Sequence, residues 1–554
     1  MLPQRRYFLA LVFSVLALSV SPIAAYAADP VECRIILNTP ANGQAAINAL
    51  GNQFDYVATL NRMTSDQLKA ALLASPEYYI DKCGRAFFAE TTMVAKELPL
   101  PMALDSLPNP LTTGNGIGAR PFIDPSIIFK LHSNSSSKKI LYLNFKGRQI
   151  TNTSWNANYN HDNAWFANGF SQDSDYSKFN VTEMEVIQSV WQRVADDYAP
   201  FDIDVTTQEP TADQINRTDA SDKEYGTEVV ISSDTVIFNS CKCSGLAYLG
   251  AFDLIGKDHI YNQPAWVFTQ GVGDNPKYIA EAITHEAGHT FGLSHSGTDS
   301  SSYYSGLQGW APIMGVGFYQ PLTQWSKGEY PSANNNEDAY SLMLKHGLTL
   351  RNDEDSNTAE SARTLKLNDR IGGVITSPSD VDYFAFTVNN TDNYTIKALP
   401  ATFSPNLDIN LRVFDASNMS LISENNPPLK IINNDVADGM SASYTGKFVA
   451  QKKYVIAISG SKITVANSSS NYGSVGTYQI QLELGSNQKI EQLPGLTSSV
   501  NPGLNTSASK DISTQLITPV LTDGVQGLEL PNNIQARASN FIKRLSLHFG
   551  ILFE

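Results

Sequence analysis

Three histidines, one glutamate and one glycine stand at fixed spacing in His285-Glu286-Ala287-Gly288-His289-Thr290-Phe291-Gly292-Leu293-Ser294-His295, the pattern HExxHxxGxxH. On a helix, His285 and His289 are four residues apart and project from one face, so both rings reach one metal ion with Glu286 beside them. Gly292 can take the left-handed backbone that ends the helix, which lets His295 swing back as third ligand. Three protein ligands leave the fourth tetrahedral position open for water, the arrangement of one catalytic zinc rather than a closed structural site. The expected chemistry is attack by that water, with Glu286 as general base.

These residues need a scaffold, and the flanking sequence supplies its text. A strand is expected at Lys139 to Phe145, followed by a helix from about Glu183 to Tyr198. The apolar face of that helix is Val186, Ile187, Val190, Trp191 and Val194, and Pro200 ends it. Further strands are expected at Ile203 to Thr207, Glu228 to Ser232, Leu246 to Phe252 and Ala265 to Phe268, before the helix that carries the motif. From Asp355 onward, period-two alternation in Phe384-Phe386-Val388, Ile409-Leu411-Val413, Tyr454-Ile456-Ile458 and Tyr478-Ile480-Leu482-Leu484 predicts a β-sandwich.

The motif resembles that of the metzincin clan of zinc endopeptidases, whose third histidine is followed by a methionine turn beneath the metal. Ala311-Pro312-Ile313-Met314-Gly315 matches that turn, and by resemblance Met314 is a hydrophobic floor and not a ligand. Ser296 after the third histidine is similar to the matrixins; the reprolysin-like branch has Asp there, astacins Glu and serralysins Pro. Val316 stands where astacins and serralysins carry a tyrosine ligand, and Tyr319 is too far on to replace it. The flanking text looks like large secreted bacterial proteases of this type. The resemblance implies a multidomain chain, with an α+β catalytic domain (a twisted mixed sheet and a zinc-binding helix) and an all-β sandwich. It also implies hydrolysis of protein or peptide substrates laid along an exposed edge strand within Gly245 to Ile260. Ser379-Asp380-Val381-Asp382-Tyr383-Phe384-Ala385-Phe386 and Gly476-Thr477-Tyr478-Gln479-Ile480 resemble the C-terminal accessory domain of many secreted bacterial peptidases. Asp380 and Asp382 read as exposed turn carboxylates, with structural calcium as the alternative.

Arg5-Arg6, an apolar run from Phe8 to Val20, and Ala25-Tyr26-Ala27 read as a signal peptide cleaved after Ala27, so the expected destination is extracellular. The run is shorter than the ~20 residues of a spanning helix, and no later segment is apolar enough to cross a membrane. At ~150 residues per domain, 554 residues allow three or four units. The reading is a signal peptide at 1–27 and a propeptide or small N-terminal domain with a proline-rich linker at 28–125. A zinc protease domain at 126–350, a β-sandwich at 355–486 and a flexible tail at 487–554 follow, the tail's 541–549 stretch being able to form a short amphipathic helix. A formal charge of −15 argues against nucleic acid and anionic membranes as partners.

Four cysteines in an exported chain favour disulfides, local pairing being the simplest: Cys33 has Cys83 available, and Cys241 and Cys243 bond to each other or elsewhere, a metal site being the alternative for that pair although no further soft ligands lie nearby. Cys83 has a second reading: Cys83-Gly84 bears a faint likeness to the matrixin switch, in which a propeptide cysteine caps the zinc, but the flanking prolines of that motif are absent. His132, His161, His259, His346 and His548 lack a second ligand type at recognisable spacing and read as surface or core residues. Two rivals stand against a metzincin protease. One is a zinc hydrolase taking its third ligand from a later glutamate, which the intact glycine, third histidine and Met314 disfavour. The other is a secreted binding or adhesive protein with a structural zinc site, which an intact Glu286 disfavours.

Overall fold

A computed structural model describes residues 33–91 and 125–485. The signal peptide, the linker from 98 to 124, the tail from 487 and His548 lie outside the described residues. Among the described residues no helix is long and apolar enough to cross a membrane.

One eight-stranded sheet organises the first two thirds of the chain. Its order is Ala41–Asn42, Tyr78–Ile80, Ala86–Thr91, Cys243–Tyr248, Ala265–Phe268, Tyr225–Ser232, Lys139–Asn144 and Asp204–Thr206. The last four strands run parallel to one another, and Cys243–Tyr248 is antiparallel to Ala265–Phe268. The strands fall close to their expected places because their Val, Ile and aromatic residues fill a sheet covered on both faces. The N-terminal segment is built into this sheet. Its three strands continue the sheet, and Ala86–Thr91 pairs antiparallel with Cys243–Tyr248, from Phe87 opposite Tyr248 to Thr91 opposite Cys243. The expected exposed edge is therefore covered.

Two helices pack together beneath the sheet. Val181–Asp197 opens with a reciprocal cap: the Asn180 side chain accepts from Glu183 N–H at 3.0 Å, and the Glu183 carboxylate accepts from Asn180 N–H at 2.8 Å. Its buried stripe is Val186, Ile187, Val190 and Val194. Pro276–Thr290 starts with Pro276 in its first turn, capped by the Asn275 side chain accepting from Lys277 N–H at 2.9 Å. The Tyr198 hydroxyl donates to Thr284 O at 3.0 Å, and the Thr284 hydroxyl donates to Asp197 at 2.7 Å, which fixes one helix against the other.

Beyond residue 362 the chain is β-rich. A five-stranded sheet (Arg363–Thr364, Val381–Thr387, Lys453–Gly460, Ile409–Asp415, Ser420–Asn425) and a four-stranded sheet (Arg370–Ile375, Gly476–Leu484, Asp392–Pro400, Ala442–Phe448) bury their alternating apolar residues between them. The sandwich is locked to the helix end by Asn406 Nδ2 on Asp197 at 2.9 Å and the Thr477 hydroxyl on Asp196 at 2.6 Å, and one apolar core runs through both regions.

Candidate metal centre

His285, Glu286 and His289 all lie on the buried face of Pro276–Thr290. The helix stops because Gly292 takes φ +89°, and a Cβ there would also lie 2.5 Å from the His346 ring. The chain then returns His295 to the cluster. His295 is held from both sides: Asn335 Nδ2 donates to its carbonyl at 3.0 Å, and Ser294 donates to Glu337 through N–H at 2.9 Å and hydroxyl at 3.0 Å. Met314 lies under the helix, so close that a Cβ on Gly288 would meet its Sδ at 2.5 Å.

A fourth residue completes the cluster. Glu90, from the strand added to the sheet, is fully buried, and Glu90, His285, His289 and His295 offer ligand atoms all within 4.8 Å of one another. Glu90 Oε1 stands 2.8 Å from His295 Nε2, 3.2 Å from His289 Nε2 and 3.9 Å from His285 Nε2. Its Oε2 accepts from the Tyr303 hydroxyl, whose ring packs 4.4 Å from that of His295. Sequence reasoning passed over both Glu90 and Tyr303. Glu90 belongs to the segment read as a propeptide or small N-terminal domain, and no local period joins it to the motif.

The donor set fits a metal ion. His285 Nδ1 and His289 Nδ1 face the carbonyls of Ile313 at 3.0 Å and Leu293 at 2.7 Å. A carbonyl only accepts, so each Nδ1 carries the proton and each Nε2 presents a lone pair to the centre. Burial keeps both rings neutral, pushing His285 down to about 3 and lowering His289, against the upward pull of Glu90. A neutral His289 Nε2 and Glu90 Oε1 are two acceptors face to face, and His285 Nε2 is buried without a hydrogen-bond partner. A bound cation satisfies all of them.

Glu286 is buried beside the cluster, and its Oε2 has no hydrogen-bond partner. Burial, then the Glu90 charge, raises its pKa well above the carboxylate range. Gly245 on the neighbouring strand makes room for it, since a Cβ there would lie 1.9 Å from Glu286 Oε1.

Cys83 is bonded to Cys33, and Cys241 to Cys243, so the thiol-switch reading of Cys83 is corrected: a carboxylate, not a thiolate, caps the histidines. His132 pairs with Asp204 at 2.6 Å, His346 with Asp253 at 3.0 Å, and His259 with Ile215 O at 3.0 Å. Asp380 and Asp382 are corrected from exposed to buried, 4 % and 1 % accessible, and with Asp353 they form a second group of metal-type ligands. Asp382 shares the inward phase of Phe384 and Phe386 on its strand, which is why it points into the sandwich.

The chain matches no family model and no curated protein. Among solved structures, it is similar to the pre-peptidase C-terminal domain of a Bacillus anthracis collagenase, at 18% identity over 23% of this chain and 99% of that one, with a TM-score of 0.17. It is also similar to PliG of Aeromonas hydrophila, a periplasmic inhibitor of g-type lysozyme, at 14% identity over 22% of this chain and 97% of that one, TM-score 0.16. The Salmonella Typhimurium PliG follows at 13% identity, 22% and 98%, TM-score 0.14. At these scores the likeness bears on neither fold nor activity.

Proposed function

We propose that this chain is a secreted zinc endopeptidase of metzincin type that hydrolyses peptide bonds in proteins or peptides. The observation that carries the reading is the convergence of three imidazoles, two of them with Nε2 lone pairs aimed inward, beside a buried carboxylate with an unpartnered oxygen. His285, His289 and His295 would hold the zinc, an N-donor set that suits it. Zinc supplies a bound water of lowered pKa, ~7, and polarisation of the scissile carbonyl. Glu286 takes the proton of the attacking water at its free Oε2 and returns it to the leaving amine. The disulfides accord with export to an oxidising compartment.

A second reading has one observation in its favour: Glu90 lies with the three histidines, so that a bound zinc would have four protein ligands, as in a structural zinc site of a binding or adhesive protein. The experiment that separates them is hydrolysis of a quenched fluorescent protein substrate by wild type and Glu286→Gln, before and after limited proteolysis, with zinc content measured on both. The expected result is one zinc in each and turnover lowered ~10²–10⁴-fold in the variant. Zinc in both without hydrolysis in any preparation would give the lead to the binding-protein reading.

A further inference from the structure

Ala86–Thr91 lies against Cys243–Tyr248 as an extended peptide lies against a sheet edge, antiparallel and in register from Phe87 to Glu90, with a register shift between Glu90 and Thr91. Alternation splits its side chains. Phe87 turns to Trp155 and Tyr248, while Phe88 and Glu90 turn to the metal cluster. The Phe88 ring stacks on His289 at 4.2 Å and packs on His295 at 4.3 Å, which excludes water from that side. Glu90 lies opposite Gly245, the residue whose missing side chain admits Glu286. Its carboxylate thus stands where a reacting group would meet a bound metal, and the backbone of its strand covers the edge that a substrate would use.

We propose that Glu90 is an internal fourth metal ligand that keeps the centre latent, and that the centre opens when the Ala86–Thr91 strand leaves the sheet. What is held latent rests on the peptidase reading; the capping itself does not. Further holds on the same segment are Arg62 on Asp253 at 2.6 Å, the pairing of Arg85 with Asp258, and the Cys33–Cys83 bridge, so that Glu90 is presented by an anchored body rather than a loose arm.

The test reads the metal rather than turnover. The full chain is loaded with Co²⁺, and its visible absorption is followed during titration with acetohydroxamate, for wild type, Glu90→Ala and Glu90→Gln. The expected result is a spectrum in wild type that barely responds, and a response in Glu90→Ala at no more than about one tenth of the wild-type concentration, since the deleted carboxylate frees a ligand position. Glu90→Gln falls between, and being isosteric it carries the same readings if the alanine variant does not fold. Equal titration of wild type and both variants would overturn the proposal. So would loss of stoichiometric Co²⁺ from variants that keep wild-type near-ultraviolet circular dichroism, because Glu90 would then be a structural ligand. A centre that opens to acetohydroxamate while no preparation hydrolyses protein, before or after limited proteolysis, upholds the cap and counts against the peptidase reading alone.

Discussion

Two groups of metal-type side chains lie in this chain, and they are built on opposite principles. The histidine group is fully buried and made mostly of neutral ligands, two of them oriented by carbonyl acceptors, with one carboxylate. The aspartate group, Asp353, Asp380 and Asp382, is oxygen-only, with one member exposed. Asp380 Oδ1, Asp382 Oδ1 and the nearby Asp355 Oδ2 are buried without hydrogen-bond partners. Imidazole with one carboxylate suits zinc, whereas carboxylates alone suit a hard cation such as calcium. The groups also differ in what metal loss costs. The first is left with lone pairs facing one another, the second with like charges in a dry place. Asp382 registers this: burial first, then Asp380, Asp355 and Asp353, push it up to about 8, against the Tyr478 hydroxyl that donates to it at 2.5 Å.

If the two groups are independent in this way, the largest effect is expected from His289→Ala, which removes a ligand and the stacking partner of Phe88. Zinc affinity should fall by more than the ~100-fold that outer contacts command, as read by competition with a chelator. The calcium response of the sandwich should not change, and a coupled loss of both would break the comparison.

Next in size is the response of the aspartate group. A raised folded-state pKa gives stability that is full below the ordinary value near ~4 and is lost as pH rises through about 8. In a chelator, Tm should therefore decline across that window. Millimolar Ca²⁺ near pH 8 should restore about 5 °C, on the scale of ~2–3 kcal/mol for a ligand at 100 times its Kd. Asp382→Asn should flatten the decline and weaken the calcium response. A Tm indifferent to Ca²⁺ at both ends of the window would leave these carboxylates as an unrelieved strain and nothing more.

What the sequence disclosed follows the reach of its periodicities. His285 and His289 are legible because helix geometry fixes their common face, and the strands up to Ala265–Phe268 are legible because covered strands must be apolar runs. Gly292 is legible as a turn, but its close approach to His346 is a tertiary fact. Glu90 is invisible because strand pairing between distant segments leaves no trace in either one. Asp382 was legible in principle, two residues before Phe384 and four before Phe386. Its acidity argued for solvent, and the alternation argued for the interior; the alternation prevailed.

The smallest effect concerns how His295 is held, since it alone lies beyond the helix and cannot be aimed by it. Glu337 accepts from Ser294 N–H, Ser294 hydroxyl and Asn335 Nδ2, and the same Asn335 amide donates to the His295 carbonyl. Glu337→Ala strips the acceptor from both flanks without touching the metal cluster. Zinc affinity should fall about 10-fold, the lower end of what such supporting contacts are worth. Glu337→Gln keeps one carbonyl acceptor for Ser294 N–H and should recover part of the loss. The competing hold on the loop is Ser296 N–H on Met314 O at 2.7 Å, a backbone bond that neither variant alters. Unchanged affinity in Glu337→Ala would mean that this bond and the Gly292 turn suffice to aim His295, and that the methionine turn, not the glutamate, sets the third ligand.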